Sequence, residues 1–342
     1  MIARRTLLAA ALAAPVAAEM PTGAEAQAFK ARNLRFAGAG GIELAGTLLL
    51  PADSAARKVP GVVLIAGSGP TDRDGNNPLL PVKVDLLKEI AEVLEGAGIA
   101  SLRYDKRGIG ASAIHRRNAE DRQESYFTWD QFVSDVQAAH AELVRHDEIK
   151  AYATALLGHS EGGLLAIAAT AAMGKKRPYA LVLASTPGRP LGDIVREQIA
   201  RSMPSLSATA ERIMSAIRTT GQVPPDGPPA FRAVFPGYAG AFLKAAFAFD
   251  PATTLARTDI PCLLLQGGAD IQVVPPHDVQ PLLDTLARRN APGEALIAPM
   301  VSHNLKIVSG PGDPGFAGPI APAIEIKLVG WLRRLLGAPS SF

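Results

Sequence analysis

ATALLGHSEGGLLAIAATAA, residues 153–172, reads as an apolar β-strand, a tight turn and an Ala-rich helix. Gly158, Ser160 and Gly162 stand in Gly-x-Ser-x-Gly spacing across the turn. Glycines flank the serine because bulk would block so sharp a reversal. Such a turn holds its central residue in a strained backbone conformation, typically at ~1 to 3 kcal/mol. It lifts the hydroxyl clear of the sheet to the N-terminus of the next helix, where the helix dipole favours developing negative charge. The competing reading is a serine that merely caps a helix after a strand. The pentapeptide by itself leaves both open.

Outward from this turn, short apolar runs alternate with longer amphipathic ones, the pattern of a sheet wrapped by helices. IELAGTLLLP (42–51) and VPGVVLIAGSG (59–69) are predicted strands. In VKVDLLKEIAEVLEGAG (82–98), Leu87, Ile90, Ala91 and Leu94 form one helical stripe that closes on glycines, before IASLRYD (99–105) returns as a strand. The alternation continues with a helix at 129–146 and a strand at YALVLAS (179–185). It then breaks. From about 187 to 250 the chain is helical and punctuated by proline, and strand-like runs resume at IPCLLLQGG (260–268). The expected organisation is an α/β core of mostly parallel twisted sheet, residues 29–186 and 251–342, with a helical cap at 187–250.

Composition narrows the function classes. With 342 residues, 48% of them hydrophobic and 20% charged, the chain can bury a large core. A formal net charge of +3 without a Lys/Arg run speaks against a nucleic-acid partner. The single cysteine, Cys262, lies in an apolar run and reads as a small buried hydrophobe. At the start, MIARRTLLAAALAAPVAA combines Arg4 and Arg5 with an apolar stretch from Leu7 to about Ala18, followed by small-residue cleavage positions between 18 and 28. Residues 1–28 are therefore predicted to be a signal peptide, and the mature protein periplasmic or secreted. The paired arginines resemble a twin-arginine signal but also suit an ordinary export leader, and both routes stay open. The apolar stretch is too short for a stable membrane anchor.

A serine hydroxyl needs a base in reach and a third group to orient that base. Of six histidines, His115, His140 and His146 lie in loops or helices before the serine, and His159 is its turn neighbour, expected to point away. His277 follows VVPP, and His303 stands after the apolar run EALIAPM, where a last strand gives way to a loop. Among acids, Asp270 in LLLQGGADIQV sits on the turn directly after a strand, 33 residues before His303, with Asp278 and Asp259 as weaker candidates. An Asp after Gly-Gly is also an ordinary turn residue.

The order Ser160, Asp270, His303 resembles that of the α/β-hydrolases. GHSEGG, YDKRGIGAS, DPATTLARTDIPCLLLQGGADIQVVPP and VSHNL each resemble segments of their bacterial esterase and serine aminopeptidase-like branch. The resemblance covers nearly all of the mature length. It implies Ser160 as nucleophile, His303 as general base and then acid, and Asp270 as the orienting carboxylate. It also implies an oxyanion hole from the backbone N–H of Glu161 and one from the loop AGSGPTDRDGNNP. In that loop Ala66 and Gly67 stand where many relatives carry His-Gly, so the second donor is expected at Ser68, with Gly69 the alternative.

Asp72, Asp74 and Asn76 have calcium-loop spacing, but Lys83 occupies the twelfth position, and neither metal nor cofactor is expected. Asp105 and Arg107 are expected to brace a turn. The implied activity is cleavage of small-molecule carboxylic esters of small or medium acyl groups. A peptidase is the alternative, although residues 188–249 carry seven Lys/Arg against four Asp/Glu, a poor receptor for a cationic N-terminus. A non-catalytic binder would have lost the serine or histidine, and a dehalogenase would need a carboxylate at position 160.

Overall fold

The computed structural model describes residues 30–113, 126–310 and 313–337. The predicted signal peptide and His115 lie outside them. Within the described residues eight strands form one sheet: β1 (Lys30–Ala37), β2 (Glu43–Leu50), β3 (Val59–Ile65), β4 (Ala100–Tyr104), β5 (Ile149–His159), β6 (Ala180–Ala184), β7 (Cys262–Gly267) and β8 (Gly293–Ala298). Their spatial order is β1-β2-β4-β3-β5-β6-β7-β8. β1 and β2 form an antiparallel hairpin, β2 runs antiparallel to β4, and all pairings from β4 through β8 are parallel. Parallel strands covered on both faces cannot show polar alternation, which is why β3, β4, β6 and β7 are buried throughout and read as continuous apolar runs.

The helices divide between the two faces as the two-residue period of a strand requires. Val63, Ile65, Leu102, Leu156, Leu183 and Leu264 face α2 (Trp129–Arg145) and α3 (Glu161–Ala172). Val62, Leu64, Leu157, Val182 and Leu265 face α1 (Leu86–Gly96) and a C-terminal α9 (Pro322–Leu336). The stripe read from the sequence, Leu87, Ile90, Ala91 and Leu94, is buried. β1 and α9 were not assigned from the sequence.

Between β6 and β7 the chain forms α4 (Leu191–Ser202), α5 (Ser207–Thr220) and α6 (Gly240–Ala248). It returns to the core at α7 (Pro251–Ala256), where the Asp250 carboxylate caps the helix by accepting from the Thr253 N–H at 2.9 Å. These segments do not form a separate core. Ile213, Phe242 and Phe247 belong to the same apolar cluster as the α2 and α3 face. Phe242 lies 5.6 Å from Trp129 and 5.0 Å from Phe132 between ring centroids, joining the insertion to α2. α8 (Gln280–Arg288) links β7 to β8. No helix among the described residues is long and apolar enough to cross a membrane.

Candidate active site

Ser160 sits on the reversal from β5 into α3 with φ 54° and ψ −123°, a conformation that L-residues rarely adopt. Its flanking glycines are required by contact. A Cβ at Gly158 would lie 2.2 Å from the carbonyl oxygen of Gly162, and one at Gly162 would lie 2.4 Å from that of Ile65. The turn is held by the Ser160 N–H donating to the Ala184 carbonyl of β6 at 2.8 Å. The Ser160 side chain makes no capping bond to α3, so the capping role weighed against nucleophilicity is not the one it plays.

His303 and Asp270 are brought together by the turns after β8 and β7. His303 Nδ1 lies 2.8 Å from Asp270 Oδ2, and both residues are buried. The carboxylate also accepts from Gln266 Nε2 at 2.9 Å and from the backbone N–H groups of Gln272 and Val273 at 2.8 and 2.9 Å. Burial works to raise the Asp270 pKa. The charge and hydrogen bond of His303 and the two backbone donors outweigh it and hold the carboxyl below the ordinary aspartate range. With Nδ1 engaged by Asp270, Nε2 is the ring nitrogen of His303 left for other partners, and among the described residues no hydrogen bond joins it to Ser160.

The other weighed residues go elsewhere. His140 bonds Thr154 at 2.9 Å, His146 lies 3.6 Å from Glu142, and Asp259 pairs with Arg177. His277, Asp278 and Glu197 form the one group among the described residues whose ligand atoms could share a metal ion. Arg189 already bridges its two carboxylates, with Nη2 2.7 Å from Glu197 and 2.5 Å from Asp278. This cluster fastens the start of the insertion to the turn before α8. The aspartate-rich loop spends its groups internally. Asp72 Oδ1 accepts from the N–H of Asp74 and of Asn76, both at 2.9 Å, and Asp74 accepts from Arg103 Nε at 2.7 Å. Asp105 binds Arg73 and the Ala111 N–H, while buried Arg107 pairs with Asp135 at 2.7 Å and donates to the Tyr126 carbonyl.

His159 does not simply point away. Its ring lies 4.8 Å from that of His303, and its Nε2 is 2.9 Å from the His303 carbonyl oxygen. Because a carbonyl only accepts, Nε2 carries the proton, and the ring ties the serine turn to the His303 loop. Burial, with the charge of His303, pushes its pKa down to about 3, and burial pushes that of His140 down to about 4. Both values are depressed below the ordinary ~6.5 of an unfolded chain, so acid protonates the unfolded chain preferentially. The stability from burying them neutral is complete above ~6.5 and lost as pH falls through the window toward 4 and 3, by up to ~1.4 kcal/mol per pH unit for each ring. Urea midpoints should therefore fall steeply from pH 6.5 to 4. A flat profile between pH 7 and 5 contradicts two buried neutral histidines.

The loop after β3 closes on the serine. A Cβ at Gly67 would lie 3.3 Å from Ser160 Cβ, so a side chain there would crowd the serine turn. Thr71 Oγ1 donates to the Ser68 carbonyl at 2.7 Å. Among the described residues no protein group accepts from the N–H of Ser68 or of Glu161. Above them opens a cavity of about 390 Å³ between core and insertion. Ser68, Ser160 and Glu161 stand on its floor, and its walls include Phe127, Phe132, Leu191, Ile194, Tyr238 and Phe242. That is an apolar chamber with a few convergent polar groups, within the usual ~300 to 1,000 Å³ of small-molecule sites.

The fold matches solved structures. The alpha/beta hydrolase GrgF from Penicillium sp. sh18 matches with a TM-score of 0.57 at 20% identity, over 90% of this chain and 99% of that one. The fold is that of the α/β-hydrolases. Residues 83–234 match the family described as serine aminopeptidase, S33. Esterase EstD of Thermotoga maritima is 27% identical over 265 residues, covering 75% of this chain and 55% of EstD, so the chain spans about half the length of that curated relative. Its fold is also that of the Pyrococcus furiosus esterase PF2001 (TM-score 0.57, 15% identity, 91% of this chain and 93% of that one). Est1E from Butyrivibrio proteoclasticus, solved with ferulic acid bound, gives 0.54 at 16% identity over 87% and 96% of the two chains. Two residues of the site escaped sequence reasoning. His159 was dismissed as a neighbour, and Lys106, in the middle of the YDKRG segment, was passed over between Asp105 and Arg107.

Proposed function

We propose that this protein is a serine esterase acting on uncharged carboxylic esters of small or medium acyl groups. The observation that carries the reading is the buried His303–Asp270 pair, whose loop is tied through His159 to the turn that holds the strained Ser160 at the floor of an apolar cavity. In the reaction the Ser160 oxygen attacks the ester carbonyl as His303 Nε2 takes its proton, and Asp270 stabilises the resulting imidazolium. The oxyanion is received by the N–H groups of Ser68 and Glu161 at the N-terminus of α3. Collapse breaks the ester C–O bond, His303 returns the proton to the departing alcohol, and water then hydrolyses the acyl-Ser160 by the same steps.

Electrostatics favour an ester over a peptide with a free amino group. Among the described residues Glu161 is the only carboxylate lining the cavity, and it lies 3.5 Å from Lys106 Nζ. All four acids of residues 188–249 pair with arginines: Asp193 with Arg196, Glu197 with Arg189, Glu211 with Arg196 and Arg218, and Asp226 with Arg212. A substrate ammonium would meet no free counter-charge there. The Arg4–Arg5 and apolar start of the chain supports export to the periplasm or beyond, which fractionation of expressing cells and the N-terminal sequence of the mature protein test. A panel of p-nitrophenyl esters from acetate to laurate, run against aminoacyl-p-nitroanilides, tests the activity. The expected result is highest kcat/KM on the shorter esters and slow turnover of every anilide. Preference for an anilide overturns the ester reading in favour of a peptidase.

A further inference from the structure

Lys106 stands between β4 and the turn braced by Asp105 and Arg107, and it is only 3% exposed. Burying an ammonium is costly unless it finds close acceptors. Its Nζ finds two. It donates to the Gly67 carbonyl, and it lies 3.5 Å from Glu161 Oε1. These acceptors belong to the two places that the hydrolytic reading assigns to the oxyanion: the Gly67–Ser68 peptide and the residue after the nucleophile.

The peptide unit is planar and trans, so its C=O and N–H point to opposite sides. A lysine that draws the Gly67 oxygen to one side turns the Ser68 N–H to the other. Hydrogen bonding to a cation also polarises the peptide and strengthens its N–H as a donor. At the second place the need is different. A bare Glu161 carboxylate close to the developing oxyanion would oppose it, and the ammonium cancels that charge in a site with little water. Arg107, the next residue, is spent on Asp135, Tyr126 and Ala39, so it cannot substitute.

Resting on the proposed serine-hydrolase reading, the geometry points to Lys106 as a positioning residue of the oxyanion hole: it aims the Ser68 N–H and neutralises Glu161. Lys106 also lines the cavity, but its Nζ is engaged by Gly67 and Glu161, and it acts through these two groups. It acts only on the transition state, because the aim of one N–H matters most when the carbonyl oxygen carries charge.

The test uses the full-length enzyme and its best ester, comparing wild type with Lys106→Met and Lys106→Gln. The readouts are kcat, KM, Tm and inhibition by a trifluoromethyl ketone, whose adduct on Ser160 places an oxyanion in the hole. Loss of a whole oxyanion donor costs ~10² to 10³ in kcat, so mis-aiming one should cost about 10- to 100-fold in Lys106→Met. KM should change little, and ketone affinity should fall by the same factor as kcat. Lys106→Gln keeps a donor for the Gly67 carbonyl and should recover part of the loss. If kcat is unchanged, or if kcat falls while ketone affinity does not, Lys106 has no such role. If Lys106→Met does not fold, Lys106→Gln decides on the same criteria. Labelling of wild type at Ser160 by a fluorophosphonate separates the two ideas. A labelled, active wild type with indifferent Lys106 variants sinks the inference alone, and an unlabelled wild type without esterase activity sinks the hydrolase reading and the inference with it.

Discussion

Ser160→Ala is expected to lower kcat on a p-nitrophenyl ester by about 10⁴ to 10⁶ while leaving Tm within a degree or two. The size follows from mechanism. Without the hydroxyl no acyl-enzyme forms, and what survives is water attack on a substrate held near the oxyanion donors. The small effect on folding follows from the turn itself. Alanine has the same Cβ as serine, so the strain at φ 54° is unaltered, and the side chain makes no helix-capping bond to lose. The backbone bonds from Ser160 N to Ala184 and from Gly163 N to the Ser160 carbonyl remain. Circular dichroism and melting establish the fold, and burst and steady-state kinetics establish the loss. Turnover within tenfold of wild type removes Ser160 from the role of nucleophile.

His303→Ala is the second large effect, at least ~10² and up to ~10⁴ in kcat/KM, the range of general acid-base catalysis. The imidazole is asked both to accept the Ser160 proton and to return it to the leaving alcohol, so no single step escapes its loss. This variant also leaves the Asp270 carboxylate buried without its His303 hydrogen bond. Three donors stay on it, Gln266 Nε2 and the N–H groups of Gln272 and Val273, so the expected thermal cost is a few degrees rather than unfolding. His277→Ala serves as the control. His277 is exposed and lies 3.4 Å from Asp278 at the Arg189 cluster, away from the His303–Asp270 pair, and its removal should change kcat/KM by less than about twofold. A dead His277 variant beside an active His303 variant reassigns the base and leaves Ser160 standing.

The strand, turn and helix around Ser160 were legible because each signal there is local. Apolar runs, a Gly-x-Ser-x-Gly turn and an alanine-rich helix are all written within twenty consecutive residues, 153–172. The insertion was legible for the same reason, as a break in strand and helix alternation. α9 carries a legible stripe, Ile324, Leu328, Trp331, Leu332 and Leu336, whereas the pattern of β1 is weak. KARNLRFA is largely polar on its outer side, and it becomes a strand through its pairing with β2, Leu34 opposite Gly46 and Phe36 opposite Leu44.

Ordering along the chain, with a family resemblance, singled out Asp270 and His303 from several candidates. Their contact is a tertiary fact. The two lie 33 residues apart and meet because parallel strands β7 and β8 are neighbours, so the turns at their C-terminal ends open on the same edge as the Ser160 turn. The roles of His159, bonded to the backbone 144 residues away, and of Lys106, bonded 39 residues away, had no local signature at all. A histidine beside a serine and a lysine beside an arginine are ordinary in sequence. What distinguishes them is burial, which makes an unsatisfied N–H or ammonium too costly and so forces each onto a specific distant carbonyl. Sequence alone determined the local conformations and the order of the reactive groups. Which buried polar groups meet was decided by the packing of the sheet edge, where desolvation turns proximity into obligation.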